Sequence, residues 1–119
     1  MAFPATYNIN YYRGDTYDFI INPKNPNGQP FDLTDFDSAL FVISTDRGDA
    51  GISVGSGSAT IDLANDRIIC EIVSSLGSQL SGSSYVYDVE IIDNSSSTVY
   101  TLLTGNISVT QDIARTGQA

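Results

Sequence analysis

A period of two runs through this chain wherever its apolar residues gather. Tyr17, Phe19 and Ile21 alternate with Thr16, Asp18 and Asn22, while Ile68, Cys70 and Ile72 oppose Arg67 and Glu71. Tyr85, Tyr87, Val89 and Ile91 oppose Ser84, Asp88 and Glu90. Successive side chains of a strand point to opposite faces, so each apolar set lies on one side of a sheet. Strands half-buried in this way need a second layer, and two sheets packed face to face supply it. Short runs rich in β-branched and aromatic residues predict strands near 5–12, 16–22, 38–45, 51–54, 58–63, 67–73, 84–92 and 98–110. Such runs mark an all-β sandwich or barrel, and the fold expected is an antiparallel β-sandwich of about seven to eight strands. Phe19, Ile21, Phe41, Ile43, Ile68, Ile72, Tyr85, Tyr87, Val89, Leu103 and Ile107 are expected to face inward.

The connections fit this pattern. Pro23–Pro30 holds three prolines and the Asn27-Gly28 pair, a loop built for turning. Gly55–Ser58 and Asp93–Ser97 read as hairpin turns. One helix is expected, Ser74–Leu80, held to about one turn by Gly77. Leu76 and Leu80 would close the end of the core from it. Length and the lack of an internal repeat point to one domain over 1–119, with 112–119 as a polar tail. The Met1-Ala2 start suggests a complete short gene product.

Composition narrows function. The chain carries 14 acidic residues against 5 basic ones, a net charge of −9. Such a surface repels phosphate backbones and anionic lipid, so no nucleic acid and no membrane are expected as partners. No apolar run is long enough to cross a bilayer, and no basic-then-apolar leader opens the chain, so a soluble protein is expected. There is no histidine, the commonest general base and metal ligand. The single cysteine, Cys70, sits in an apolar alternation and reads as a small core residue. The expectation is a protein that is not an enzyme and needs no cofactor or metal.

Several motifs have a bland reading and a functional one. Arg13-Gly14-Asp15 spells the integrin tripeptide, but a strand connection with a glycine kink explains it better. Asp32, Asp35 and Asp37 could supply oxygens to calcium. They lack the EF-hand spacing, and the preferred reading is a loop whose aspartates and Thr34 bond the backbone. Asp88 and Glu90 could be the paired carboxylates of a hydrolase, but their Cα atoms lie about 7 Å apart on one strand face, as an exposed row would place them, and that structural reading is preferred. The sequons at Asn94 and Asn106 read as products of a Ser/Asn-rich composition.

A sharper anomaly is apolar residues on faces where alternation calls for polar ones. Leu40 and Val42 oppose Ala39, Phe41 and Ile43, while Val86, Ile92, Tyr100 and Leu102 break the pattern of the later strands. These six are the interface candidates, expected to contact another copy or another protein. The competing explanation is that the loop over 23–37 folds across them.

Three stretches resemble phage tail and baseplate proteins, including the N-terminal domain of baseplate upper proteins. Tyr12-Arg13-Gly14-Asp15-Thr16-Tyr17 resembles their opening, and Gln29-Pro30-Phe31-Asp32-Leu33-Thr34 followed by Ala39-Leu40-Phe41-Val42-Ile43 a middle segment. Tyr85-Val86-Tyr87-Asp88-Val89-Glu90-Ile91, then Leu102-Leu103-Thr104-Gly105-Asn106-Ile107-Ser108-Val109-Thr110, is similar to their ending. The double serine before Tyr85 departs from the pattern. The tyrosine near the start of that strand also resembles the tyrosine corner of immunoglobulin-like domains. The resemblance implies an all-β, immunoglobulin-like antiparallel sandwich with no catalytic residues, serving as a bacteriophage virion structural protein, either a capsid decoration (cement) protein or a tail or baseplate component. It would be assembled in the host cytoplasm, its partners being other virion proteins and copies of itself. The alternative is a host-surface module binding a glycan or receptor, for which Tyr100 and the Tyr11-Tyr12 pair are the aromatic candidates.

Overall fold

A computed structural model describes residues 5–48 and 53–111. The strands are β1 (Ala5–Thr6), β2 (Ile9–Tyr12), β3 (Tyr17–Ile21), β4 (Ser38–Ser44), β5 (Ser53–Asp62), β6 (Arg67–Ile72), β7 (Ser84–Asp93) and β8 (Thr98–Thr110). One helical turn, α1 (Ser74–Gly77), joins β6 to β7. The all-β expectation holds, and so does the single turn of helix. Residues 51 and 52 of the first expected half of β5, and the tail over 112–119, lie outside the described residues.

The strands form one curled sheet in the order β1-β8-β7-β4-β5-β6-β3, with β2 also on β8. It is mixed, which corrects the purely antiparallel expectation: β1 and β2 both run parallel to β8, with Ala5 opposite Leu103 and Ile9 opposite Ile107. The curl is made at β5. Its first residues pair with β4, and Ser58–Asp62 pair with β6. Gly55–Ser58 is therefore not a hairpin turn but the corner of a continuous strand. Glycine is required there because a Cβ on Gly57 would lie 2.3 Å from the Phe41 ring and 2.8 Å from the Glu71 carbonyl oxygen.

Folding at that corner lays the β6–β3 wing over the β4–β7–β8 wing. Phe19 of β3 meets Phe41 of β4 edge-on at 5.4 Å and Tyr87 of β7 at 6.2 Å. Phe41, Ile43, Ile68, Cys70, Ile72, Tyr87 and Val89 are buried between the wings, with Phe19 and Ile21 half-buried against them. Leu76 and Leu80 close one end, as the sequence predicts. Each fully buried aliphatic or aromatic side chain contributes about 1.5–3 kcal/mol.

The expected first strand is split. At Tyr7 and Asn8 the chain passes so close to Gly105 that a Cβ there would lie 2.0 Å from the Tyr7 carbonyl oxygen. The Asn8 side chain replaces a backbone acceptor, taking the Asn106 N–H at 3.1 Å. The Tyr7 carbonyl instead accepts the buried Tyr87 hydroxyl at 2.6 Å.

A β-bulge corrects the expectation for two interface candidates. Val89 faces Leu103 but Glu90 faces Thr101, so Leu102 is the extra residue of β8. The insertion resets the alternation. Leu102 is buried, 1% exposed, and Tyr100 falls opposite the inward-facing Ile91. Tyr100 is then covered by the 23–37 loop, whose Phe31 and Phe36 rings sit 6.2 and 5.9 Å from it. Leu33 from the same loop is fully buried.

Candidate functional site

Four of the six interface candidates share one surface, the outer face of β4 and β7. Leu40 lies opposite Glu90, Val42 opposite Asp88, Ser44 opposite Val86 and Ser38 opposite Ile92. Val42 and Val86 are thus diagonal neighbours, as are Leu40 and Ile92. Leu40 is 41% exposed, while Val42, Val86 and Ile92 are half-buried. Val99 of β8 joins them: it sits directly across from Ile92 and is 52% exposed. Sequence reasoning missed Val99 because its alternation counts correctly only from beyond the bulge.

An arginine strap borders this face. Arg47, between β4 and β5, reaches across β7 and donates to the Asp88 carboxylate at 2.9 Å. Its other terminal nitrogen reaches the Thr104 hydroxyl at 2.5 Å and the carbonyls of Gly105 and Tyr87 at 3.2 and 3.3 Å. Thr104 donates in turn to Asp88 at 2.7 Å. A single exposed ion pair is worth little, but this fork ties three backbone segments together. Beneath it lies a dimple of about 230 Å³, walled by Val42, Ser44, Val86 and Asp88.

The remaining motifs have structural employment. Arg13 donates to the Ser78 carbonyl at 2.7 and 3.0 Å and to Gln111, so the Arg-Gly-Asp guanidinium is held against the protein. Gly14 has φ +89°, the kink that the bland reading requires. Asp32 accepts from the backbone N–H and the hydroxyl of Thr34, and Asp37 accepts the Asn94 N–H. The two Thr34 bonds, the hydroxyl's first, hold the Asp32 carboxyl below its usual range. Among the described residues, no group of three or more acidic, cysteine or histidine side chains could hold a metal ion. Asp88 is engaged by Arg47 and Thr104, not by Glu90.

The aromatic candidates for a glycan platform are scattered. Tyr11 is buried and donates to the Asp15 carbonyl, Tyr100 lies under the loop, and only Tyr12 is exposed. Cys70 is fully buried, and burial pushes its thiol up to about 12. A nucleophilic cysteine needs the opposite shift. In native protein at pH 8, Cys70 is expected to resist a chromogenic disulfide reagent, reacting fully once guanidinium unfolds the chain. Rapid native labelling would contradict that burial. No protein-family model and no curated protein matches this chain.

Proposed function

We propose that this chain is a non-enzymatic structural component of a bacteriophage particle, docking to other virion proteins and to copies of itself through the outer face of β4, β7 and β8. The carrying observation is the row Leu40, Val42, Val86, Ile92 and Val99 on a face that alternation reserves for polar residues. A net charge of −9 keeps such a surface soluble before assembly. The sequence stretches resembling tail and baseplate proteins supply the particle as the setting.

We read the fold as immunoglobulin-like. Three features support this: one strand shared between the two wings, a first strand parallel to the last, and the hydroxyl of Tyr85. The Gly82 N–H donates to that hydroxyl at 2.7 Å, just before β7, the upstream backbone bond of a tyrosine corner. The scattered aromatics count against the host-surface alternative.

Particle reconstitution with Leu40→Asp and Val42→Asp tests the proposal, since each places an unpaired charge in the contact. Both variants should fold, because neither side chain is in the core. Incorporation is expected to fall to about a tenth of wild type or less, equivalent to ~1.4 kcal/mol or more. Wild-type occupancy of both folded variants would refute the interface. Leu102, buried behind the bulge, plays no part in this test. Electron cryomicroscopy of the particle would separate capsid from tail.

A further inference from the structure

The curled sheet does not close. β1 ends it on one side and β3 on the other, and among the described residues neither has a further strand beside it. Between these edges runs an apolar cleft of about 410 Å³, lined by Tyr7, Phe19, Ile20, Ile21, Asn22 and Leu103. A second hollow of about 200 Å³ continues it past Ala5, Pro23 and Lys24. At the Tyr17 end, the Tyr7 and Tyr17 hydroxyls bond at 3.0 Å and shut the gap.

The outer side of β3 carries an electrostatic fault. Asp18 lies directly across the ladder from Glu71, and like charges so placed are destabilising. Among the described residues, the ion pairs are Arg47–Asp88 and Arg67–Asp62, and neither relieves this pair. Next to it, Ile20 and Ile69 face each other, 50% and 36% exposed.

We propose that the free edge of β3 accepts an extended segment of a partner protein in which basic and apolar residues alternate. Added to β3, such a strand satisfies the open backbone edge, the mode by which sheets capture peptides. Alternate side chains then enter the cleft against Phe19, Ile21 and Leu103. The others point outward, where a lysine or arginine beside Asp18 neutralises the carboxylate pair. Its neighbour opposite Ile20 lays an aliphatic stem over Ile20 and Ile69. This contact is separate from the β4–β7–β8 face and stands without it.

The test uses the full chain and a blocked peptide of alternating lysine and valine, read by hydrogen exchange of backbone amides. The peptide is expected to slow exchange in β3 and leave β4 and β7 unchanged. Asp18→Lys, at an exposed site, should weaken binding about tenfold and shift preference to a glutamate–valine peptide. Asp35→Lys makes the same change in net charge elsewhere and should leave affinity within about twofold. The proposal fails if β3 gains no protection, or if Asp35→Lys weakens binding as much as Asp18→Lys. It fails also if the chain alone protects β3 increasingly with its own concentration, which would make a second copy the occupant.

Discussion

Gly105→Ala is expected to destabilise the protein by about 3 kcal/mol, although it adds a single methyl group. The new Cβ would lie 2.0 Å from the Tyr7 carbonyl oxygen, 2.8 Å from the Tyr7 carbonyl carbon and 3.2 Å from the Asn8 side-chain oxygen. Two of these atoms are backbone, so no side-chain rotation relieves the clash. β1 and β2 must lift from β8 instead. That movement strains three bonds: Tyr7 N–H to Thr104, Asn106 N–H to Asn8, and the Tyr87 hydroxyl to Tyr7. Each contributes about 0.5–1.5 kcal/mol net, and a Tyr87 hydroxyl left buried without an acceptor costs about 1–3 kcal/mol more. In a domain of this size the melting temperature should fall by roughly 10–20 °C in thermal unfolding followed by circular dichroism. A fall below about 4 °C would mean that the first strands are not seated on Gly105 as described.

Phe41→Ala is expected to cost about 3–5 kcal/mol, from lost transfer energy and from the cavity left behind. Phe41 is fully buried and packs edge-on against Phe19 and Tyr87, at 5.4 and 5.5 Å. It also fills the space above Gly57, where the sheet turns its corner. Its ring is thus one of the contacts through which the two wings meet, beside that of Phe19 with Tyr87, and removing it loosens both. Urea titration of the two proteins side by side measures the difference. A loss below about 1 kcal/mol would place Phe41 at a periphery able to collapse around the gap.

Much of the core was legible in the sequence because half-buried strands advertise their faces. Tyr85, Tyr87 and Val89 needed only a count of two, and α1 needed only Gly77 after a strand. Position along the chain was enough to place Leu76 and Leu80. What the sequence hid was every place where the backbone departs from simple pleating. The bulge at Leu102 turns Tyr100 inward, and nothing in the run from Thr98 to Thr110 marks where the extra residue falls. Gly55 and Gly57 look like turn residues, yet Gly57 serves close approach within a strand. The parallel pairing of β1 and β2 with β8 joins segments about a hundred residues apart, beyond the reach of local periodicity.

The candidate site was legible to the same degree. Leu40, Val42, Val86 and Ile92 follow from alternation in β4 and β7, which pair without a bulge. Val99, Leu102 and Tyr100 depended on the register of β8. The arginine strap had no local signature, since Arg47 meets Asp88 and Thr104 only after three strands have been laid side by side.

That parallel pairing also decides how the domain would carry load. With β1 and β2 running alongside β8, Ala5 lies level with Leu103, and Tyr12 with Thr110. The two outer ends of this ladder are therefore seven residues of β8 apart, about 23 Å at an extended rise. Tension applied between Ala5 and Thr110 pulls along the ladder rather than across it. The hydrogen bonds of β2 and β8 are then sheared together and share the force, instead of opening one after another from an end. The domain should resist pulling most along this axis, and Gly105, which lets the strands close up, sits within the stressed seam.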